Sequence, residues 1–297
     1  MHAPLNDIKT APPRNKNDEG KLAIITGATS GIGKAFADYY ASQGYHLLLT
    51  GRRKDVMLDV ALRLEVKYAV SIEMVFANLS RNEDLSRLLQ TIGKRSNIEV
   101  LVNCAGYGLD ERFSEDHINH QIAMLGVHVN APLKLTHKVL PVMMRNHSGT
   151  IINVSSLAAY MPTAGNAMYT STKSFLKNFT ESLHMDVGSY GIKVQCLCPG
   201  FTHSDFHNNL NVSTGALKSG IIRWMEPSEV VRYSIACLNK GQVICIPGFL
   251  NKILAVSAMA VPRNLYYVIA SRMEPRIKKR TALADAHAMP TLSPQNM

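Results

Sequence analysis

The stretch Lys21-Leu22-Ala23-Ile24-Ile25-Thr26-Gly27-Ala28-Thr29-Ser30-Gly31-Ile32-Gly33 decides the fold. Lys21–Thr26 is a short apolar run and reads as a buried strand that stops at Gly27. A helical pattern from Lys34 to Gln43 follows the glycines at once. Glycines let a backbone turn tightly and come close to a pyrophosphate. The helix that follows offers free N–H groups and the positive end of its dipole. Between a strand and a helix, the turn Gly27, Thr29, Ser30, Gly31, Ile32, Gly33 points to a dinucleotide; the competing reading is a tight structural turn.

Downstream, apolar runs and helical patterns keep alternating. Further strands are expected at Tyr45–Thr50, Ser71–Ala77, around Val100–Val102, and at Thr150–Ser156, Lys193–Cys198 and Gln242–Ile246. Helices are expected at Val56–Lys67, Asn82–Lys94, His117–Arg145 and Tyr169–Tyr190, with a kink or break at Pro132. Short, nearly continuous apolar strands between helices mean a parallel sheet covered on both faces. The fold class is therefore α/β, a doubly wound Rossmann fold in a single domain. Its ligands belong beyond the carboxyl ends of the strands. We divide the chain into a polar N-terminal tail at 1–20, the Rossmann domain at 21–250, a helical extension at 251–275 and a basic, polar tail at 276–297.

The 297 residues carry a formal net charge of +10. A basic surface could meet nucleic acid or anionic lipid. No helix-turn-helix or finger pattern is present, and an anionic cofactor together with polar ends accounts for the excess, so no nucleic acid partner is expected. The first twenty residues lack an apolar secretory core, and no apolar run reaches the roughly 18 residues that a membrane helix requires. Ile253 to Val261 reads as a docked helix, and membrane contact through this C-terminal segment is a minor reading. The five cysteines, Cys104, Cys196, Cys198, Cys237 and Cys245, show no metal-type spacing, so no metal site is expected. They suit reduced thiols and a cytoplasmic location.

Strand two ends at Thr50-Gly51-Arg52-Arg53. An NAD-binding fold places an acidic residue there, about 20 positions past the glycines, to hold the ribose hydroxyl. Arg52 and Arg53 offer guanidinium groups instead, which match a phosphate. NADP(H) is therefore expected over NAD(H); the alternative is a pair of solvated surface arginines.

With these motifs in order, the chain resembles the short-chain dehydrogenase/reductase family from about Lys21 to Gly248. The resemblance rests on TGATSGIG at Thr26–Gly33, Asn103-Cys104-Ala105-Gly106, Asn130, the serine closing strand five, Tyr169-Thr170-Ser171-Thr172-Lys173, and Pro199-Gly200. It implies a seven-stranded parallel sheet and a homodimer or homotetramer built on the long helices. It implies that Asn103, Ala105 and Gly106 lie beside the adenosine ribose, and that Asn130 holds a water of a proton relay. Ser156, unlike Ser155, stands at the family interval from Tyr169. Ser204, beyond Pro199, Gly200 and Thr202, occupies the place of a threonine that meets the nicotinamide carboxamide. Asn78-Leu79 stands where the family often has Asp and an aliphatic residue at the adenine; an amide can still bond the base. Cys104 and His128 flank motif positions and are given no role.

The chemistry these residues allow is hydride transfer between a nicotinamide and a ketone or secondary alcohol. Tyr169 would act as acid or base, and Lys173, four positions on along the same helical face, would lower its pKa. Lys173 could also hold the ribose hydroxyls, and Ser156 would donate to the substrate oxygen. Substrate contacts are expected after Pro199-Gly200, where Phe201, Phe206, Leu210, Ile221, Ile222, Trp224 and Met225 could form an apolar lid made mobile by Gly215 and Gly220. The alternatives are core packing of that segment, a non-catalytic NADP(H)-binding sensor or scaffold on the same fold, and a lipid-modifying enzyme held at a membrane surface.

Overall fold

Seven short strands pair side by side in one parallel sheet, in the order β3-β2-β1-β4-β5-β6-β7. They are β1 (Leu22–Thr26), β2 (His46–Gly51), β3 (Ile72–Phe76), β4 (Ile98–Asn103), β5 (Gly149–Val154), β6 (Ile192–Leu197) and β7 (Ile244–Cys245). The computed structural model describes residues 20–109, 112–204 and 224–272. Most of the N-terminal tail, the lid positions Phe206, Leu210, Gly215, Gly220, Ile221 and Ile222, and the basic tail lie outside the described residues.

Helices cover both faces, as the two-sided apolar strands require. They are α1 (Gly31–Ser42), α2 (Lys54–Tyr68), α3 (Asn82–Ile92), α4 (Ile118–Leu125), α5 (Ala131–Asn146), α6 (Ala167–Val187), α7 (Pro227–Asn239), α8 (Phe249–Ala260) and α9 (Arg263–Arg272). Successive residues of β1 serve opposite faces. Ala23 and Ile25 pack with Phe36, Val60 and Val231 of α1, α2 and α7. Leu22 and Ile24 pack with Leu88, Leu135 and Leu183 of α3, α5 and α6. A mostly polar strand could not fill both layers.

Helix α7 has no counterpart among the helices expected from the sequence. Its start is marked by Pro227 at the first helical position and by Glu229 in the first turn. The long helix expected over His117–Arg145 is interrupted, but not by a simple kink at Pro132. A π turn at Gly126–Asn130 joins α4 to α5, with the Ala131 N–H reaching back to the Gly126 carbonyl. Pro132 sits in the first turn of α5, directly after the π turn. Proline also removes the donor that the His128 carbonyl would otherwise meet, which favours the wider turn.

β1 is central, with β2 on one side and β4 on the other. The chain reverses its direction of travel across the sheet here, so a crevice opens beyond the carboxyl ends of β1 and β4. Beneath this point lies a buried polar chain. Asn103 Nδ2 donates to Asn153 Oδ1 at 2.8 Å and to Thr136 Oγ1 at 3.3 Å. Asn153 Nδ2 donates to Thr180 Oγ1 at 2.9 Å. The chain ties β4 and β5 to α5 and α6. At the far end, α8 buries little besides Ala255 and Ala258, and leaves Phe249, Leu250, Ile253, Val256 and Met259 exposed. Tyr266 of α9 donates to the Pro162 carbonyl at 3.0 Å. Among the described residues no helix is long and apolar enough to cross a membrane.

Asn153→Ala strands buried partners on both sides of the polar chain, which costs about 1–3 kcal/mol. Urea unfolding should show that loss, with m unchanged; an unshifted midpoint would mean that the chain contributes no net stability.

Candidate active site

The glycine turn is held by close backbone approach. Gly27 has φ +69°, and a Cβ there would lie 2.9 Å from Ala105 Cα; at Gly33 it would lie 2.2 Å from the Gly27 carbonyl oxygen. The Thr26 hydroxyl accepts from the Cys104 N–H at 2.9 Å and the Ala105 N–H at 3.0 Å. The turn and the Ala105-Gly106 segment thus form one surface. Ser30 caps α1 through its backbone only, and the first turn of α1 carries no acidic residue. A glycine cradle beneath an uncapped helix N-terminus, with no carboxylate beside it, fits an anionic dinucleotide.

The other positions expected at the cofactor divide into two groups. Arg53 Nη2 donates to Thr29 Oγ1 at 2.9 Å, so this guanidinium is clipped to the turn, and Arg52 stands exposed beside it. Ser204 packs against Gly31, where its Cβ would be 2.7 Å from an added methyl. Thr202 is buried and donates to the Gly200 carbonyl at 3.2 Å. The Pro199 carbonyl accepts from the Leu157 N–H at 2.9 Å. Asn78 spends its Oδ1 on the Ser80 N–H and hydroxyl, so only its amide hydrogens remain to meet a base. Leu79 is a core residue. The side chain of Asn103 is not on the cofactor surface: it is 3% exposed and turned into the polar chain beneath the sheet.

Tyr169 and Lys173 lie one turn apart at the start of α6. The Lys173 Nζ is 5.6 Å from the Tyr169 ring centre and donates to the Val154 carbonyl at 3.1 Å. Ser156 ends the extended stretch after β5, accepts from the Ala158 N–H at 3.1 Å, and hydrogen-bonds the Tyr169 hydroxyl through its own. Its neighbour Ser155 does other work. Its hydroxyl donates to the Lys173 carbonyl at 2.7 Å and holds α6 against β5. Asn130 is not brought in: it is exposed at the end of the π turn. The residue of that turn that reaches the site is His128, 1% exposed, with its ring 5.9 Å from that of Tyr169. The resemblance, not helical spacing, puts Asn130 in the site, and both residues lie in the π turn Gly126–Asn130. Beside Tyr169 a cleft is lined by Leu109, Phe113, Gln121, Met124 and Met168. At the expected lid only the base is described: Phe201 and Trp224 pack with ring centres 5.3 Å apart, and Met225 belongs to the core.

Burial governs protonation here. It raises the Tyr169 phenol, and the Ser156 hydrogen bond opposes it. The sequence leads one to expect that Lys173 lowers that phenol. Desolvation sets the direction for both groups: it raises the phenol and lowers Lys173 itself, to about 8. Burial, with Lys173 second, pushes His128 well below the usual imidazole range. It drives the Cys104 thiol up to about 12.

The comparisons with known proteins follow the same outline. The short chain dehydrogenase family profile matches residues 21–214. An uncharacterized oxidoreductase of Staphylococcus saprophyticus is 27% identical over 223 residues, 75% of this chain and 92% of the relative. The structure of a short-chain dehydrogenase from Sphingobium yanoikuyae in complex with NADPH has the same fold, with a TM-score of 0.74 and 24% identity over 83% of this chain and 95% of that one. L-sorbose reductase from Gluconobacter frateurii, complexed with NADPH and L-sorbose, aligns at 26% identity with a TM-score of 0.68, over 78% of this chain and 97% of that one. The chain belongs to the short chain dehydrogenase family. It is an oxidoreductase of the alcohol dehydrogenase type.

The depressed Lys173 value has a measurable sign. Below about 8 the ammonium is charged in both states, so its burial penalty is fully present. Between about 8 and the ordinary 10.5 the unfolded chain keeps the proton and the folded chain does not, so stability rises with pH. Relative to Lys173→Met, the wild type should gain about 3 kcal/mol across that window in urea unfolding. A constant difference between the two proteins would mean that the ammonium keeps its ordinary pKa.

Proposed function

We propose that the protein is an NADP(H)-dependent reductase or dehydrogenase acting on an apolar ketone or secondary alcohol, with Tyr169 as the acid or base. The observation that carries the reading is the meeting of Ser156, Tyr169 and Lys173 beside the glycine turn. When bound, the dinucleotide supplies or accepts the hydride, and its oxidised ring brings a positive charge.

The remaining steps belong to the chain. Gly27, Gly31 and Gly33 leave the backbone open to the pyrophosphate, and the N-terminus of α1 faces it with N–H groups. Arg52 and Arg53 hold the extra phosphate; the Thr29 contact sets the Arg53 guanidinium at the mouth of the turn. L-sorbose reductase from Gluconobacter frateurii, complexed with NADPH, supports NADP(H) as a cofactor of this fold. Ser156 donates to the substrate oxygen, where negative charge grows during reduction. Tyr169 delivers a proton to that oxygen in reduction and removes it in oxidation. Its phenol, raised by burial, is protonated at neutral pH, the form that donates in reduction. Lys173 stands within reach of Tyr169 and the Gly106 wall, placed to hold ribose hydroxyls. The cleft beside Tyr169 mixes apolar Leu109, Phe113, Met124 and Met168 with polar Gln121 and Asn166, and its apolar members support a hydrophobic carbonyl compound. Exposed Ile118 and Ile122 of α4 and Phe175 of α6 support assembly into a homodimer or homotetramer across these helices.

Titration with NADPH and NADH, followed by cofactor fluorescence, tests the cofactor assignment. NADPH should bind more tightly. Arg53→Ala should weaken NADPH by roughly ten- to a hundredfold, the scale of one charge-assisted phosphate contact, and leave NADH little changed. Equal binding of the two cofactors would sink the phosphate assignment alone. A carbonyl screen then follows, in which Tyr169→Phe should lower kcat by at least about a hundredfold without weakening NADPH. Undiminished turnover would remove Tyr169 as the acid.

A further inference from the structure

His128 lies at the centre of a directed hydrogen-bond chain. Its Nε2 accepts from the Tyr107 N–H at 3.0 Å, and its Nδ1 lies 3.0 Å from Thr172 Oγ1. A backbone N–H can only donate, so Nε2 carries no proton, and in the neutral ring the proton sits on Nδ1. Nδ1–H therefore donates to Thr172 Oγ1, whose own proton goes to the Tyr169 carbonyl at 2.9 Å. The chain runs without a break from the Tyr107 N–H, through the imidazole and the threonine, to the backbone of Tyr169. The ring also meets Tyr107 and Tyr169 edge-on, with centres 5.6 and 5.9 Å away. A Cβ on Gly106 would fall 3.0 Å from His128 Nε2 and 3.5 Å from Lys173 Nζ, so glycine, imidazole and ammonium share one small volume.

We propose that His128 is a positioning residue: a neutral, Nδ1-protonated imidazole that locks the first turn of α6, and with it Tyr169, to the Gly106-Tyr107 wall, and that does not itself carry protons. The proposal rests on the reading of Tyr169 as the acid or base. Both ring nitrogens are spent inside the protein. Protonating Nε2 would break the Tyr107 bond and set a second buried cation beside Lys173. The titratable groups around the ring are Lys173 and Tyr169 from α6 and Tyr107 from the segment after β4. Burial and the Lys173 charge both disfavour the imidazolium. The π turn is what aims the ring: it places His128 among buried neighbours while Asn130, two residues on, is exposed.

Two measurements decide the matter. The first is the 15N spectrum of the imidazole in the full chain without substrate. It should show a single Nδ1–H tautomer that does not titrate between about pH 5 and 8. A titrating ring, or a proton on Nε2, would overturn the proposal. The second compares His128→Ala with His128→Gln, whose amide can present an acceptor to Tyr107 and a donor to Thr172. His128→Ala should lower kcat by roughly ten- to a hundredfold, the effect of a misplaced reacting group, with little change in the KM for NADPH. His128→Gln should recover most of that loss with an unchanged pH profile. A glutamine variant as impaired as the alanine one would mean that the imidazole itself moves protons, and an unimpaired alanine variant would mean that it positions nothing; either overturns the proposal. Wild-type turnover by Tyr169→Phe would instead remove the acid–base reading, and the substrate-free spectrum tells that failure apart from a wrong assignment of His128.

Discussion

The hydroxyl of Thr26 ties the two strands that the rest of the site is built on. It accepts two backbone N–H groups from the turn after β4 and points its own proton towards the Val102 carbonyl at 3.4 Å. β1 and β4 end side by side, yet the chain leaves them in opposite directions. Without a polar side chain there, the Cys104 and Ala105 N–H groups would face the crevice without a partner from the protein. With it, the glycine turn and the Ala105-Gly106 wall are one rigid surface, and no Cβ fits between them at Gly27.

On the other bank, burial sets the chemistry. The phenol of Tyr169 rises while the ammonium of Lys173 and the imidazole of His128 fall, so each group is pressed towards its neutral form. Few polar partners are left over: Lys173 has the Val154 carbonyl, His128 has Tyr107 and Thr172, and Tyr169 has Ser156. In such dry surroundings a charge gained by one member is felt strongly by the others. The groups therefore respond to protonation as a set.

Much of the fold and the site is legible in the order of the residues alone, and the failures have physical causes. The strands stand out because a strand buried on both faces is an unbroken apolar run; all seven expected strands appear, with ends displaced by a residue or two. The glycine turn, Tyr169 and Lys173 stand out because their spacing is local. Asn103 misleads because its partners, Asn153 and Thr136, are 50 and 33 residues away, and no local pattern announces them. Asn130 is put forward by the resemblance alone, and the π turn that leaves it exposed is not announced by any local pattern. The direction of the Tyr169 shift is hidden because a cation four residues on is visible in the chain and desolvation is not. Helix α7 carries its own signals, Pro227 and Glu229, in the shadow of an apolar segment that reads as a lid.

The clamp at Thr26 spans 79 residues of chain, and the Thr26–Val102 contact spans 76. The first three strands can pair among themselves, but the central strand keeps one open edge until β4 has been made. Contacts this distant are slow to find, because the entropy of closing the loop must be lost before they reward it. During synthesis, the growing chain therefore exposes the apolar edge of β1 for as long as it takes to emit the next strand of the order. A fragment that ends before Lys173 cannot assemble the site at all, whatever part of the sheet it has already formed.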